Sequence, residues 1–255
     1  MIDIHSHILP DVDDGASSLT ESLAMAKKAA DEGIRKIVAT PHHENGSYVN
    51  TKNQVIAAVD YLNGQLQLEN IPVEILPGQE TRIYGEMLQD LQAGKVLPVN
   101  DNNYVLVELP TSHVPQYTTQ LLFDMQLAGY KPIIVHPERN HEIMEQPDKL
   151  YRMVKNGALT QVTAASLVGR SGKKVEKFAN QLLEANLAHL LASDAHDTKK
   201  RGFYLKVAYK KVKSDYGSDY MFQLMDNAEA VITGSAAERE IPERVQKKRK
   251  WLVFR

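Results

Sequence analysis

The sequence predicts an α/β protein, a single domain built as a distorted TIM-like (β/α)7 barrel. Three observations lead there. Short apolar runs alternate with helical patterns along 255 residues, as expected of parallel β/α units. The length is that of one such barrel. Most of the apolar runs end in a residue able to ligate a metal, and in this fold the strand ends share one rim.

The elements follow in order. Residues 2–5 form the first strand, and a loop runs through Asp14-Gly15. A helix starts at Ser18, with Glu21 three positions on as the partner of a capping box, and ends at Gly33. The second strand, 34–40, is stopped by Pro41. A helix over 53–68 leads to a third strand at 73–76 and then to Gly78-Gln79-Glu80. Residues 104–109 and 132–135 make the fourth and fifth strands, with a helix over 115–128 between them. A weaker sixth strand covers 159–163, a well-patterned helix 173–186, and the seventh strand 187–193. Helices and then a tail follow Arg201. The barrel is expected to occupy 1–243, leaving 244–255 as a basic C-terminal tail.

Composition narrows the partners. A formal net charge of -2 and a pI near 6.5 give no footprint for a nucleic-acid partner. The absence of cysteine removes disulfides, thiolate ligands and every cysteine-nucleophile mechanism. No run approaches the roughly 20 apolar residues that span a bilayer. Met1 opens directly into strand-like sequence without a basic and apolar leader, so a soluble, cytoplasmic protein is expected.

The chemistry lies in where the ligating residues fall. His5 and His7 follow the first strand, His42 and His43 the second, Glu80 the third, and Glu108 ends the fourth. His136 ends the fifth strand, and Asp194 and His196 end the seventh. His5-x-His7 sets two imidazoles on one side of an extended chain, and Asp194-x-His196 repeats the spacing. This hard-to-borderline donor set suits Mn, Zn, Fe or Mg and disfavours copper. Glu80 is the candidate bridge for two metals roughly 3.5–4 Å apart. Glu108, after an apolar run, needs a metal ion or a structural cation partner. His43 cannot face the same way as His42 on an extended chain, so His42 is the expected ligand. His113, His141 and His189 lack a partner pattern and are expected to lie outside the chemistry. Asp13-Asp14-Gly15 reads equally as a turn.

These motifs resemble those of the polymerase and histidinol phosphatase (PHP) superfamily. Within it they are most similar to the bacterial tyrosine-protein phosphatases encoded beside capsule or exopolysaccharide genes. The carrying residues are the opening run through His5-Ser6-His7, Asp13-Asp14-Gly15, Pro41-His42-His43, Pro77-Gly78-Gln79-Glu80, His136-Pro137-Glu138-Arg139 and Ser193-Asp194-Ala195-His196. The resemblance implies two or three divalent ions, Mn foremost, held by His5, His7, Asp14, His42, Glu80, Glu108, His136, Asp194 and His196. It also implies that Arg139 and Arg201 bind phosphate, which guanidinium forks do bidentately.

The mechanism expected on this reading is in-line attack on phosphorus by a metal-held hydroxide, with fixed positive charge neutralising the equatorial oxygens. The implied substrate is phosphotyrosine on a partner protein, the tyrosine-rich tail of a membrane-associated kinase that controls polysaccharide export. Two rivals stand beside it: a small-molecule phosphatase such as histidinol phosphatase, and a non-catalytic metal-binding module. Lys247 to Lys250 beside Trp251 to Phe254 read either as a weak contact with anionic lipid or an acidic partner, or as a solvated end.

Overall fold

The computed structural model describes residues 1–246 of the chain. Nine strands run in chain order: β1 (Ile2–Ser6), β2 (Lys36–Ala39), β3 (His42–His43), β4 (Glu74–Pro77), β5 (Glu80–Arg82), β6 (Tyr104–Glu108), β7 (Lys131–Val135), β8 (Leu159–Thr163) and β9 (Leu190–Ala192). All pairings are parallel, in the orders β1-β2-β4 and β3-β5-β6-β7-β8-β9. Every strand expected from the sequence is present. Two of them are broken: β3 continues the line of β2 past Pro41, and β5 continues β4 past Gly78. Those breaks divide the ladder into two sheets and distort the barrel. A parallel bridge between Ser6 and Ala195 joins the first strand to the segment after the last.

The helices that follow strands form where the sequence punctuates them. Leu19–Glu32 begins at Ser18, whose side chain accepts from the Glu21 amide, and ends at Gly33 in the left-handed conformation. The expected capping box is half made. The Glu21 carboxylate accepts from the amide and hydroxyl of Ser17, one residue earlier than a box requires. Helices at Lys52–Leu68, Thr118–Leu127 and Lys173–Glu184 lie within a few residues of the expected spans. Short helices at Met87–Gln92, His141–Glu145, Asp148–Lys155 and Ala164–Leu167 were not legible in the pattern.

Side chains alternate across the sheet as period-2 strands require. Ile37, Ile75, Val107, Ile134 and Leu191 pack outward against the helices. Ile4, Val38, Leu106, Ile133 and Leu190 form a separate inner cluster. Each is essentially inaccessible and so contributes about 1.5–3 kcal/mol of burial. The helix Ser218–Thr233 closes the N-terminal rim: its Val231 and Ile232 join the inner cluster, and their carbonyls accept from Asn102 and Asn100. With that end plugged, the opposite rim is open for chemistry. The residues of the proposed tail after Gln246 lie outside the described chain. Just before them, Arg244 pairs with Asp148 and stacks on Tyr151.

Candidate active site

The polar side chains gather at the C-terminal rim, and the backbone bends to bring them there. The β1–β2 register shifts between Asp3 and Ser6, a bulge that re-aims the side chains after it. His136 and Asp194 both adopt positive φ, 34° and 53°, at the ends of β7 and β9. Non-glycine residues pay strain there and cluster at functional sites. Gly15 cannot carry a side chain, because its Cβ would lie 2.1 Å from the His7 carbonyl oxygen.

Three donor groups lie within a metal's reach. His7, Asp14, His42 and His196 form one; His5, His7 and Glu80 a second; His42, Glu80 and Glu108 a third. His7, His42 and Glu80 each belong to two groups, so the site is continuous. His136 donates to Glu80 Oε1 at 2.7 Å, and Asp194 Oδ1 lies 3.4 Å and 3.5 Å from the Nε2 atoms of His7 and His5. Every residue named from the sequence as a ligand is therefore in the cluster. His43 points elsewhere and is buried in a separate cleft. The His113 ring meets Ser112, and His189 is buried against Thr160 on β8; neither imidazole belongs to the donor groups.

The electrostatics show strong coupling. Burial alone would raise the Glu80 carboxyl, but His5, His136 and His42 hold it well below the usual range. Asp194 is likewise lowered against its burial, chiefly by Arg139 and His7. Burial opposes charge on His42, yet Asp14 and Glu80 lift it to about 10. His136 is raised in the same way by Glu80. Glu108 goes the other way, pushed up by burial and then by the Glu80 charge. Titratable groups so perturbed at a cleft mark functional sites.

Arg139 Nη1 is 2.5 Å from Asp194 Oδ2, and Arg201 Nη1 is 2.8 Å from Asp14 Oδ2. Both guanidinium groups line a cavity of about 160 Å³ with Glu108, His136 and Asn140. Three residues that touch the cluster were given no role by the sequence reading, although Asp13 lay within one of its motifs. Arg82 makes a two-pronged pair with Glu108, each bond 2.9 Å. Its signal was its place two residues after Glu80, on the same side of an extended strand. Asp13 lies 2.6 Å from His7 Nδ1, and Gln161 2.9 Å from His5 Nδ1. Gln161 sits inside an apolar strand, where a polar residue is itself a signal.

The donor set fits divalent ions. His5 and His7 each engage Nδ1 with an acceptor, which leaves their Nε2 atoms facing each other at 3.4 Å. Two lone pairs so close need a cation or a proton between them. His42 Nδ1 and Glu80 Oε2 are buried 3.0 Å apart, and neither makes a hydrogen bond. Buried polar atoms normally find partners, and a hard cation satisfies both.

A parallel barrel with histidines and carboxylates converging at its C-terminal rim is the build of the metal-dependent barrel hydrolases. The chain matches the family "Capsular polysaccharide synthesis, CpsB/CapC" over residues 1–233, and it belongs to that family. It is 47% identical over 254 residues to the tyrosine-protein phosphatase YwqE of Bacillus subtilis, with both chains covered completely. It is 29% identical to the tyrosine-protein phosphatase CpsB of Streptococcus agalactiae, over 91% of this chain and 98% of that one. A chain from the crystal structures of YwqE from Bacillus subtilis and CpsB from Streptococcus pneumoniae, described as metal-dependent tyrosine phosphatases, superposes with a TM-score of 0.95 at 48% identity. That match covers 97% of this chain and all of the other. A lactonase from Listeria monocytogenes, at 10% identity and a TM-score of 0.55, shares the fold alone.

Proposed function

We propose that this chain is a metal-dependent protein-tyrosine phosphatase acting on a phosphorylated tyrosine kinase that controls capsule or exopolysaccharide synthesis. The observation that carries the reading is the continuous histidine–carboxylate cluster flanked by two arginines at one cavity. On this reading His5, His7, Asp14, His42, Glu80, Glu108, His136, Asp194 and His196 hold two or three divalent ions, with Mn first among Mn, Fe, Zn and Mg. Glu80, touching histidines from three strand ends, would be the carboxylate best placed to be shared between ions. Bound ions of this kind make hydroxide available near neutral pH and neutralise charge on phosphoryl oxygens.

The rest of the work falls to the chain. Arg139 and Arg201 line the cavity and take phosphoryl oxygens through paired N–H groups. Asp194 and Asp14 hold those guanidinium groups before substrate enters. On this reading the cavity of about 160 Å³ takes the phosphoryl group, and the rest of the phosphotyrosine segment stays outside it. A tyrosine phenol has a pKa of about 10, so its oxygen leaves with little help from an acid. The helices of the described residues include none long and apolar enough to cross a membrane.

The test is hydrolysis of a phosphotyrosine peptide by chelator-stripped protein with Mn2+ restored, beside Arg139→Ala and His136→Ala. Activity that returns with metal and is lost in both variants is the expected result. Turnover of histidinol phosphate in place of the peptide moves the chain to a small-molecule substrate. No turnover of any phosphomonoester overturns the enzymatic reading.

A further inference from the structure

The Asp13 carboxylate is wholly buried, yet it lies outside the three donor groups of the cluster. All of its contacts serve to hold it in place or to hold something else. Its Oδ2 is 2.6 Å from His7 Nδ1 and also accepts from the backbone amide of His42 at 3.1 Å. Its Oδ1 accepts from the Gly15 amide at 2.9 Å. A carboxylate can only accept, so the His7 nitrogen facing it is an N–H. The other nitrogen, Nε2, then presents its lone pair toward Glu80 and Asp194, 3.2 Å and 3.4 Å away.

We propose that Asp13 is a positioning residue for the metal centre: it fixes the Nδ1–H tautomer of His7, aims Nε2 into the cluster, and ties the His7 segment to the His42 backbone. This rests on the metal reading above. The geometry supports a specific role in three ways. A negatively charged partner makes the opposite nitrogen a better donor, and such outer partners typically carry about 10–100-fold in metal affinity. The neighbouring His5 meets the neutral Gln161 at the equivalent nitrogen, 2.9 Å away, so the two imidazoles are unequal ligands. Finally, one oxygen of Asp13 touches residues that follow two different strands, and so sets the spacing between the ligands those strands carry.

The measurement is calorimetric titration of Mn2+ into chelator-stripped wild type, Asp13→Asn and Asp13→Ala. The asparagine can keep an acceptor for His7 and the His42 amide through its one oxygen, but it loses the charge and turns an NH2, which cannot accept, toward the Gly15 amide. We expect its affinity to fall about 10-fold or more at one of the ions, while the stripped protein still unfolds cooperatively with a melting temperature only slightly lowered by the unpartnered Gly15 amide. Alanine should lose more. Equal affinity in wild type and a folded Asp13→Asn overturns the proposal. So does a fall in melting temperature of the stripped protein with affinity intact, which would make Asp13 structural only. A second readout needs no variant: long-range proton–nitrogen spectra of Zn2+-loaded wild type should place the His7 proton on Nδ1, and a proton on Nε2 refutes the role. Wild type that takes up no Mn2+ would overturn the metal reading itself. Wild type that binds Mn2+ but leaves phosphotyrosine intact would overturn the substrate and leave the role of Asp13 standing.

Discussion

Arg201 donates to the Asp14 carboxylate at 2.8 Å across 187 positions of sequence, joining the loop after β1 to the loop after β9. Both partners are nearly half exposed, 46% and 41%, and exposed pairs contribute at most about 1 kcal/mol. Stability and catalysis should therefore separate here. Arg201→Ala is expected to keep its melting temperature within a degree or two while kcat for a phosphotyrosine peptide falls about 100-fold, the effect of losing one donor to a charge-developing oxygen. Loss of both together would assign the arginine to structure.

Glu80 makes the converse case. It is fully buried and lies against His5, His42 and His136. Glu80→Gln keeps its shape and removes the charge that those imidazoles share. The variant should bind at least one ion fewer by elemental analysis and lose about 1000-fold or more in kcat, since metal polarisation supplies several kcal/mol. Full metal content in this variant would remove Glu80 from the ligand set.

Two glycines should respond in opposite directions to alanine. At Gly15 the added Cβ meets backbone 2.1 Å away, so the His7–Asp14 loop must move and Mn2+ uptake should fall. At Gly64, inside the helix Lys52–Leu68, nothing lies within 4 Å. That substitution should stabilise by about 0.5–1 kcal/mol in urea titration and leave metal content unchanged.

His189 should shape the acid limb of stability. Burial, helped by Arg239, depresses its imidazole to about 4, below the ordinary 6.5 or so of the unfolded chain. The unfolded state therefore binds more protons between those values. Stability is unaffected above pH 6.5, declines as pH falls below it, and stops declining below pH 4. The window amounts to about 3 kcal/mol. Urea titrations of wild type and His189→Gln at pH 7, 5 and 4 should show a shallower loss in the variant, and parallel curves would contradict the assignment.

The order of strands and the rim cluster were legible because both are local patterns: an apolar run, then a ligating residue. His5-x-His7 and Asp194-x-His196 carried the signal in single tripeptides. What could not be read depends on contacts between distant segments. Pro41 marked where the second strand stops, but that the ladder resumes at His42 is decided by its pairing with Glu80. The Glu108 partner lies 26 positions away, at Arg82, and the partner of His5 lies 156 away, at Gln161. The short helices after β5, β7 and β8 span too few turns to print a period of 3.6. Ser18 and Glu21 have the spacing of a capping box, but Ser17 competes for the glutamate.

The seam between the first and last strands sets an order of events in synthesis. The Ser193 hydroxyl and amide donate to Asp3 across 190 residues, and the Ser6 hydroxyl reaches the Ala195 carbonyl across 189. His5, His7 and Asp14 lie on one side of that join, and Asp194 and His196 on the other. While the chain leaves the ribosome, His5 and His7 wait through most of translation for Asp194 and His196. Long-range closure of this kind is slow. The emerging polypeptide thus carries only a partial chelating site, and the centre assembles in one late step when the ring shuts.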